Sequence, residues 1–289
     1  MKNILVTGSN GFIGQALVKE LENKNFNVFK FDSSYGDISE FDFKKKFKNI
    51  EVDYVFHLAS KTFIPDSWND PVKFYKTSVI GTNNILELCR MKEIPLTYVS
   101  AYLYGLVEKL PTSEDDCIKP NNPYAHSKFL TEELCKFYSE YYNVKVTIAR
   151  PFNLYGRNQK DIFLIPHIIK QVMNSNYIEV EVLDLNPKRD YLYINDLING
   201  LLKTMSTSSN FSIYNFGSGK ELSVKEAIDI IQKVAKINKP IVSKNIERKN
   251  EIISVIADIQ KAKEELKWEP LYNFEDGIKE ILENIKNEK

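Results

Sequence analysis

The sequence predicts an α/β fold: a doubly wound parallel sheet with helices on both faces, followed by a smaller and less regular α/β region. Three observations predict it. Short apolar runs alternate with amphipathic stretches over the first 150 residues, which is the rhythm of β-α-β units. The first run ends in a glycine-rich turn, Thr7-Gly8-Ser9-Asn10-Gly11-Phe12-Ile13-Gly14, that leads into a helix of apolar period. The 289 residues, 43% hydrophobic and 27% charged, can bury a substantial core.

Each element follows from its own residues. Ile4-Leu5-Val6 marks a buried strand over 3–7. Leu17, Val18 and Leu21 give 12–23 a helical apolar face. Further apolar runs place strands at 26–31, 53–58, 95–100 and 145–149. Between them, Phe41 and Phe47 flank Lys44 to Lys46 as an amphipathic helix over 40–47, and longer helices are expected at 71–91 and 124–142. Later come a helix near 161–174, a strand near 179–183, a helix near 196–205 and a strand near 212–216. Helices near 223–236, 258–266 and 274–287 close the chain, with no repeat and no flexible linker. The second region is expected to pack on the first beside a ligand cleft, since open α/β sheets bind ligands at the carboxyl ends of their strands.

Composition narrows the function. Lys plus Arg and Asp plus Glu number 39 each, so the formal net charge is zero. A nucleic-acid partner is not expected, because such proteins carry a basic excess. No apolar stretch approaches a membrane span. Met1-Lys2-Asn3 runs straight into the first strand, which leaves no room for a signal peptide and points to the cytoplasm. Cys89, Cys117 and Cys135 lack metal or redox spacing and read as free thiols of a reducing compartment. His57 reads as a packed core residue, His126 as pointing away from Tyr124 and His167 as a candidate second acid; their spacing gives no zinc site.

The glycine-rich turn carries the first chemical signal. Gly8, Gly11 and Gly14 let the chain turn sharply and let backbone approach a pyrophosphate, while the helix start offers unpaired N–H groups and a favourable dipole. The spacing is G-x-x-G-x-x-G at the first strand-to-helix turn, and it points to a bound dinucleotide. Asp32 ends the second strand. A carboxylate there accepts the ribose hydroxyls and repels a 2′-phosphate, so NAD(H) is favoured over NADP(H).

The second signal is Tyr124 and Lys128, four apart at the start of a helix. Four-apart residues share a helix face. An ammonium there favours the phenolate and makes the tyrosine a usable acid/base. Tyr141 and Lys145 repeat the spacing but straddle a helix end. Tyr124 instead follows a strand that ends in Ser100.

At these residues the chain resembles the extended short-chain dehydrogenase/reductases that act on nucleotide sugars, whose fold is of the Rossmann type. The resemblance runs from Thr7-Gly8 to Gly14 through Gly36-Asp37-Ile38, His57-Leu58-Ala59-Ser60, Val99-Ser100 to Tyr104-Gly105, Pro123 to Lys128 and Arg150-Pro151-Phe152-Asn153. It continues through Lys188-Arg189-Asp190-Tyr191, Tyr214 to Gly219 and Ala257-Asp258. It implies that Tyr124 is the general acid/base, that Lys128 holds the nicotinamide ribose, and that Ser100 bonds the reacting sugar oxygen. It implies cofactor contacts at Gly8, Asn10, Gly11, Phe12, Ile13, Gly14, Asp32, Asp37, Ile38, Leu58, Ala59, Ser60 and Pro151. It also implies that Asn153, Arg189 and Arg248 hold the sugar-nucleotide diphosphate, for which guanidinium is well suited. Arg150 and Arg90 read instead as a strand-end charge and a solvated helix face. By the same resemblance 1–160 is the dinucleotide-binding domain, with a returning segment near 190–217, and 161–289 is the nucleotide-sugar-binding region. A homodimer through helices 71–91 and 124–142 is expected.

Departures from the family sharpen the expectation. Sugar 4,6-dehydratases carry acids directly after the Ser/Thr, where this chain has Ala101 and Tyr102. Ser78 stands where asparagine is usual before Val79-Ile80-Gly81-Thr82. Only three residues separate Asp32 from Gly36, where many relatives insert a helix and a strand. The short form resembles reductases of 4-keto-6-deoxy nucleotide sugars. The expected function is therefore NAD(P)-dependent C4 ketoreduction of a nucleotide-linked 4-keto-6-deoxyhexose. The alternative is an NAD-dependent nucleotide-sugar C4 epimerase; a 4,6-dehydratase or a catalytically silent dinucleotide sensor ranks below both.

Overall fold

The computed structural model describes residues 1–246 and 252–287. The chain forms two compact units, neither continuous in sequence. The first holds Met1–Gly105, Glu114–Pro151 and Ile198–Asn215; the second holds Leu106–Ser113, Phe152–Leu197 and Phe216–Lys289.

The first unit is built on a six-stranded sheet. Its spatial order is Phe211–Phe216, Val146–Pro151, Leu96–Val99, Tyr54–His57, Asn3–Thr7, Asn27–Phe31. The pairs among the strands between residues 3 and 151 are parallel. Thr7 sits opposite both Phe31 and His57, so three strands end level. The order reverses at Asn3–Thr7: the next strand in sequence lies to one side and the one after it to the other. Such a switch point is where open α/β sheets hold ligands.

Alternation decides which side chains face which helices. Leu5, Val55, Leu96, Tyr98, Val146 and Ile148 share one apolar cluster with Ile85, Leu86, Cys89, Cys135 and Tyr138 of helices Gly81–Lys92 and Pro123–Tyr142. The opposite face carries Thr97, whose Oγ1 lies 2.6 Å from Thr204 Oγ1 at the end of helix Ile194–Thr204. Both faces are thus covered, as the sequence pattern predicts.

Most expected elements form within a residue or two of their predicted ends. Three differ. The helix expected over 40–47 shrinks to Phe43–Lys46, because Asp42 caps it with a bond from Lys45 N–H at 2.9 Å and its phenylalanines turn inward instead. Phe31, Phe41 and Phe43 pack with ring centroids 4.6–4.7 Å apart. The helix expected over 71–91 forms as Pro71–Tyr75 and Gly81–Lys92 joined by a wider π-type turn, Lys76–Ile80. Such turns recur at functional sites. Helix Ile64–Asn69 was not legible, being only six residues long.

The second unit carries helices Leu164–Met173, Val224–Ala235, Gln260–Leu266 and Phe274–Asn287. Three short strand pairs tie it together. Asn153–Tyr155 runs parallel to Tyr191–Tyr193, Val180–Val182 parallel to Ile241–Ser243, and Lys188–Arg189 antiparallel to Leu222–Ser223. Helix Val224–Ala235 starts with a reciprocal box in which Ser223 and Glu226 satisfy each other's backbone N–H groups. Among the described residues no helix is long and apolar enough to cross a membrane.

Candidate active site

The glycine turn is held by backbone that only glycine permits. Gly8 has φ +71°, and a Cβ there would stand 2.8 Å from the Ala59 nitrogen. A Cβ on Gly14 would overlap the Gly8 carbonyl oxygen. Gly11 N–H donates to that same carbonyl at 2.9 Å. Helix Phe12–Asn23 then starts at Gly11 with no side chain capping it. Its first N–H groups keep their capacity for an anion, and the loop leaves space where a Cβ would stand. These features fit a dinucleotide pyrophosphate. Asn10 is exposed, while Phe12 and Ile13 are half-buried.

Two neighbouring segments are brought to this turn. Thr7 Oγ1 accepts the Ala59 N–H at 3.2 Å and lies 2.6 Å from His57 Nδ1. The other ring nitrogen of His57 lies 2.8 Å from Thr82 Oγ1. His57 is therefore the packed core residue expected. Its burial, with Lys128 nearby, holds its pKa down at about 3, so the ring is neutral. Half-buried Leu58, Ala59 and Ser60 line the strand end beyond it. On the other side, Asp32 accepts Ser34 N–H at 2.8 Å and Ser9 Oγ at 3.3 Å. The Ser34 backbone bond is the main reason its pKa lies below the usual carboxylate range. Asp32 thus starts a tight turn, Ser33–Tyr35, and also reaches the glycine loop. Asp37 is likewise held low, first by Ser39 N–H at 2.9 Å, with Lys61 and Lys76 contributing. Buried Ile38 packs against Gly81, leaving no room for a Cβ there.

Helix Pro123–Tyr142 begins where the sequence says it should. Asn122 caps it by accepting Ala125 N–H at 2.8 Å, and Pro123 fills the first turn. This start fixes Tyr124 and Lys128 on one face. Lys128 is buried, and its Nζ donates to the Val99 carbonyl at 2.8 Å. That carbonyl belongs to the peptide entering Ser100, so Lys128 and Ser100 meet at one strand end. Ser100 is 3% exposed, and its Oγ has no hydrogen-bond partner among the described residues. A buried hydroxyl left unpaired is costly, which makes Ser100 a candidate to bond a ligand atom. The Tyr124 ring is braced edge-on by Phe74, with centroids 6.4 Å apart.

The electrostatics differ from the simple sequence argument. Burial pulls the Lys128 amine down to about 7 and pushes the Tyr124 phenol above its ordinary range. At Tyr124 desolvation is the cause, and it favours the protonated phenol. Tyr102, in the position of a dehydratase acid, donates its hydroxyl to the Gly105 carbonyl at 2.8 Å.

Pro151 is buried at the end of its strand. In the second unit, Asn153 donates its backbone N–H (3.1 Å) and its Nδ2 (3.4 Å) to the Asp190 carbonyl. Arg189 donates to the carbonyls of Lys188 and Ile252 at 2.8 and 2.6 Å. Arg248 lies outside the described residues. His167 is exposed on its helix, and His126 is exposed with Nδ1 3.0 Å from the Tyr75 hydroxyl. Cys89 and Cys135 are buried free thiols, and Cys117 is an exposed one.

Two organising residues escaped the sequence reading. Asp190 is fully buried and accepts from Ser218 N–H, Ser218 Oγ, Gly219 N–H and Ala257 N–H at 2.6–3.0 Å. Its place beside Arg189 was the only available signal. Arg150 is not a strand-end charge but a buried one, paired with Glu132 at 2.6 Å. Arg90 is the surface residue expected, paired with Glu87 at 2.9 Å.

Comparison with known proteins places the chain in a family. A Methanocaldococcus jannaschii protein, assigned provisionally as a UDP-glucose 4-epimerase, is 32% identical over 98% of this chain and 98% of its own length. GDP-6-deoxy-D-mannose reductase of Pseudomonas aeruginosa is 28% identical over 97% of this chain and 96% of its own. The crystal structure of UDP-glucose 4-epimerase from Thermotoga maritima with UDP-glucose matches with a TM-score of 0.92 at 27% identity, covering 99% of each chain. The model of the NAD dependent epimerase/dehydratase family matches residues 4–217, the stretch that holds the glycine turn, Ser100, Tyr124 and Lys128, and the chain belongs to that family.

Proposed function

We propose that the protein is an NAD(P)-dependent reductase of the C4 carbonyl of a nucleotide-linked 4-keto-6-deoxyhexose. The observation that carries this reading is the buried Ser100 hydroxyl, without a partner among the described residues, at the strand end where Lys128, one helix turn from Tyr124, is anchored. Reduction needs a proton donor at the forming alkoxide, and a phenol held above its usual range stays loaded. When bound at the glycine turn, the nicotinamide cofactor supplies the hydride. Ser100 donates its free O–H to the carbonyl oxygen and polarises it. Tyr124 gives its proton to the same oxygen. The Lys128 amine, titrating near 7, stabilises the phenolate left behind. Asp32 supports NAD(H) over NADP(H), since its carboxylate repels a 2′-phosphate. Asn153, Arg189 and Arg248 are the candidates for the sugar-nucleotide diphosphate. On this reading the sheet-bearing unit holds the dinucleotide, and the region from 161 onward holds the nucleotide sugar.

The test is direct. Purified protein with NADH or NADPH and 4-keto-6-deoxy nucleotide sugars is expected to lose absorbance at the reduced-nicotinamide band. No oxidation of either cofactor with any such sugar rejects the reading. The alternative, a C4 epimerase, is supported by Asp32, because a ribose-binding carboxylate suits a retained NAD. It predicts copurified NAD that survives desalting and turnover without added cofactor.

A homodimer is proposed on helix faces that are apolar yet exposed. Leu130, Phe137 and Tyr141 of helix Pro123–Tyr142 are 37%, 48% and 68% exposed, and Met91 of helix Gly81–Lys92 is 57% exposed. Apolar surface of this kind marks an interaction site. The Phe137→Glu/Tyr141→Glu chain is expected to run as a 33.5 kDa monomer in light scattering, with the native chain at twice that mass. A native monomer removes the proposal.

A further inference from the structure

We propose that Glu132, gripped by Arg150, is a positioning residue for Lys128: its buried carboxylate sets the charge state in which the lysine acts on Tyr124. The proposal rests on the reading of Tyr124 and Lys128 as the catalytic pair.

The geometry starts from helix periodicity. Tyr124, Lys128 and Glu132 recur at four-residue steps along helix Pro123–Tyr142 and so share one face. Lys128 and Glu132 are each 2% exposed. Glu132 is fixed from the neighbouring strand Val146–Pro151. Arg150 Nε reaches both carboxylate oxygens at 3.1 and 3.2 Å, and Nη2 reaches Oε2 at 2.6 Å. Arg150 is fixed in turn. Its Nη1 donates to the Tyr104 hydroxyl at 2.8 Å and to the Glu114 carbonyl at 3.2 Å. The Tyr104 hydroxyl donates to Asn215 Oδ1 at 2.7 Å. Neither charge can swing away to water, so the carboxylate is held one turn from the amine.

The other groups around Lys128 do not supply this charge. On its own helix stand Tyr124 and Cys135, both pushed up by burial and neutral. Strand Leu96–Val99 presents the Tyr98 ring 4.7 Å from Nζ, also uncharged, and the Val99 carbonyl. Strand Tyr54–His57 presents neutral His57. The charge that acts on the amine is therefore first that of Glu132, with Arg150 paired behind it. Burial alone drives the amine towards its neutral form, while the carboxylate opposes that drive in a low-dielectric site. Arg150 tempers the opposition from farther off. The pair thus leaves Lys128 able to change charge near neutral pH.

The test reads the lysine itself. Protein carrying ¹³Cε-labelled lysine is titrated by NMR, with the Lys128 signal assigned by its loss in Lys128→Met. Glu132→Gln removes the carboxylate and leaves the Arg150 charge, so the Lys128 midpoint is expected to fall by at least about one pH unit. Glu132→Met/Arg150→Met removes both charges; buried pairs exchanged for apolar residues often keep the fold. Its midpoint is expected between those of the native chain and Glu132→Gln. A purely structural pair gives no such order. Equal midpoints in the folded chains overturn the proposal. If Glu132→Gln does not fold, the double variant decides, and an unmoved midpoint again overturns it. If the midpoints move in the stated order while no chain reduces a 4-keto sugar, the charge relay stands and the catalytic reading falls.

Discussion

Tyr124→Phe is expected to fold, to bind dinucleotide with unchanged affinity, and to lose reductase kcat by about 10²- to 10⁴-fold, the range for removal of a general acid. The phenol oxygen is the only atom removed. The ring keeps its edge contact with Phe74, and no hydrogen bond of the Asn122 cap involves the hydroxyl. Stability should therefore change little, while the proton donor at the sugar oxygen is gone. Ser100→Ala should retain Tyr124's proton and lose the polarising hydroxyl, which gives an independent measure of the same site. Calorimetric titration with NAD and steady-state kinetics check the two halves. A Tyr124→Phe chain with native kcat would remove Tyr124 from the mechanism.

Gly14→Ala is expected to do the reverse: leave the acid/base residues in place and weaken dinucleotide binding. The new Cβ would overlap the Gly8 carbonyl oxygen and stand 2.8 Å from Ser9 Cα. Both neighbours are backbone, so the loop itself has to move. Overpacking of this kind costs about 1–3 kcal/mol of stability. The displaced loop is the one whose N–H groups are offered to the pyrophosphate, and an affinity loss of at least about tenfold follows from 1.4 kcal/mol of lost interaction. Gly11→Ala makes an internal control. Its Cβ would stand 3.1 Å from the Gly8 oxygen, so its cost should be smaller. Urea denaturation and calorimetry of the two variants give the order; Gly11→Ala being the worse of the two would contradict the loop geometry.

Much of this site was legible before any tertiary information. The glycine turn announces itself because its spacing follows from local backbone conformation. Tyr124 and Lys128 announce themselves because a helix repeats every 3.6 residues. The deletion after Asp32 is a matter of counting, and the structure fills it with the single turn Ser33–Tyr35. Other features left no such mark. Strand pairs of two or three residues, such as Lys188–Arg189 with Leu222–Ser223, are too short to show a period. The π-type turn at Lys76–Ile80 interrupts a helix that reads as continuous.

The sequence by itself determined the order of strands and helices, the glycine turn, and Ser100, Tyr124 and Lys128 as candidates, because each is written in neighbouring residues. The tertiary structure alone decided the charge states. The rise of the Tyr124 phenol, the fall of the Lys128 amine to about 7, and the place of Arg150 as the buried partner of Glu132 depend on burial and on groups brought together through space. His57 shows the same division: its place at a strand end is sequence, while its bonds to Thr7 and Thr82 join residues 50 and 25 positions away. Desolvation and Coulomb energy act over ångströms, not over sequence positions, and only the folded chain sets those distances.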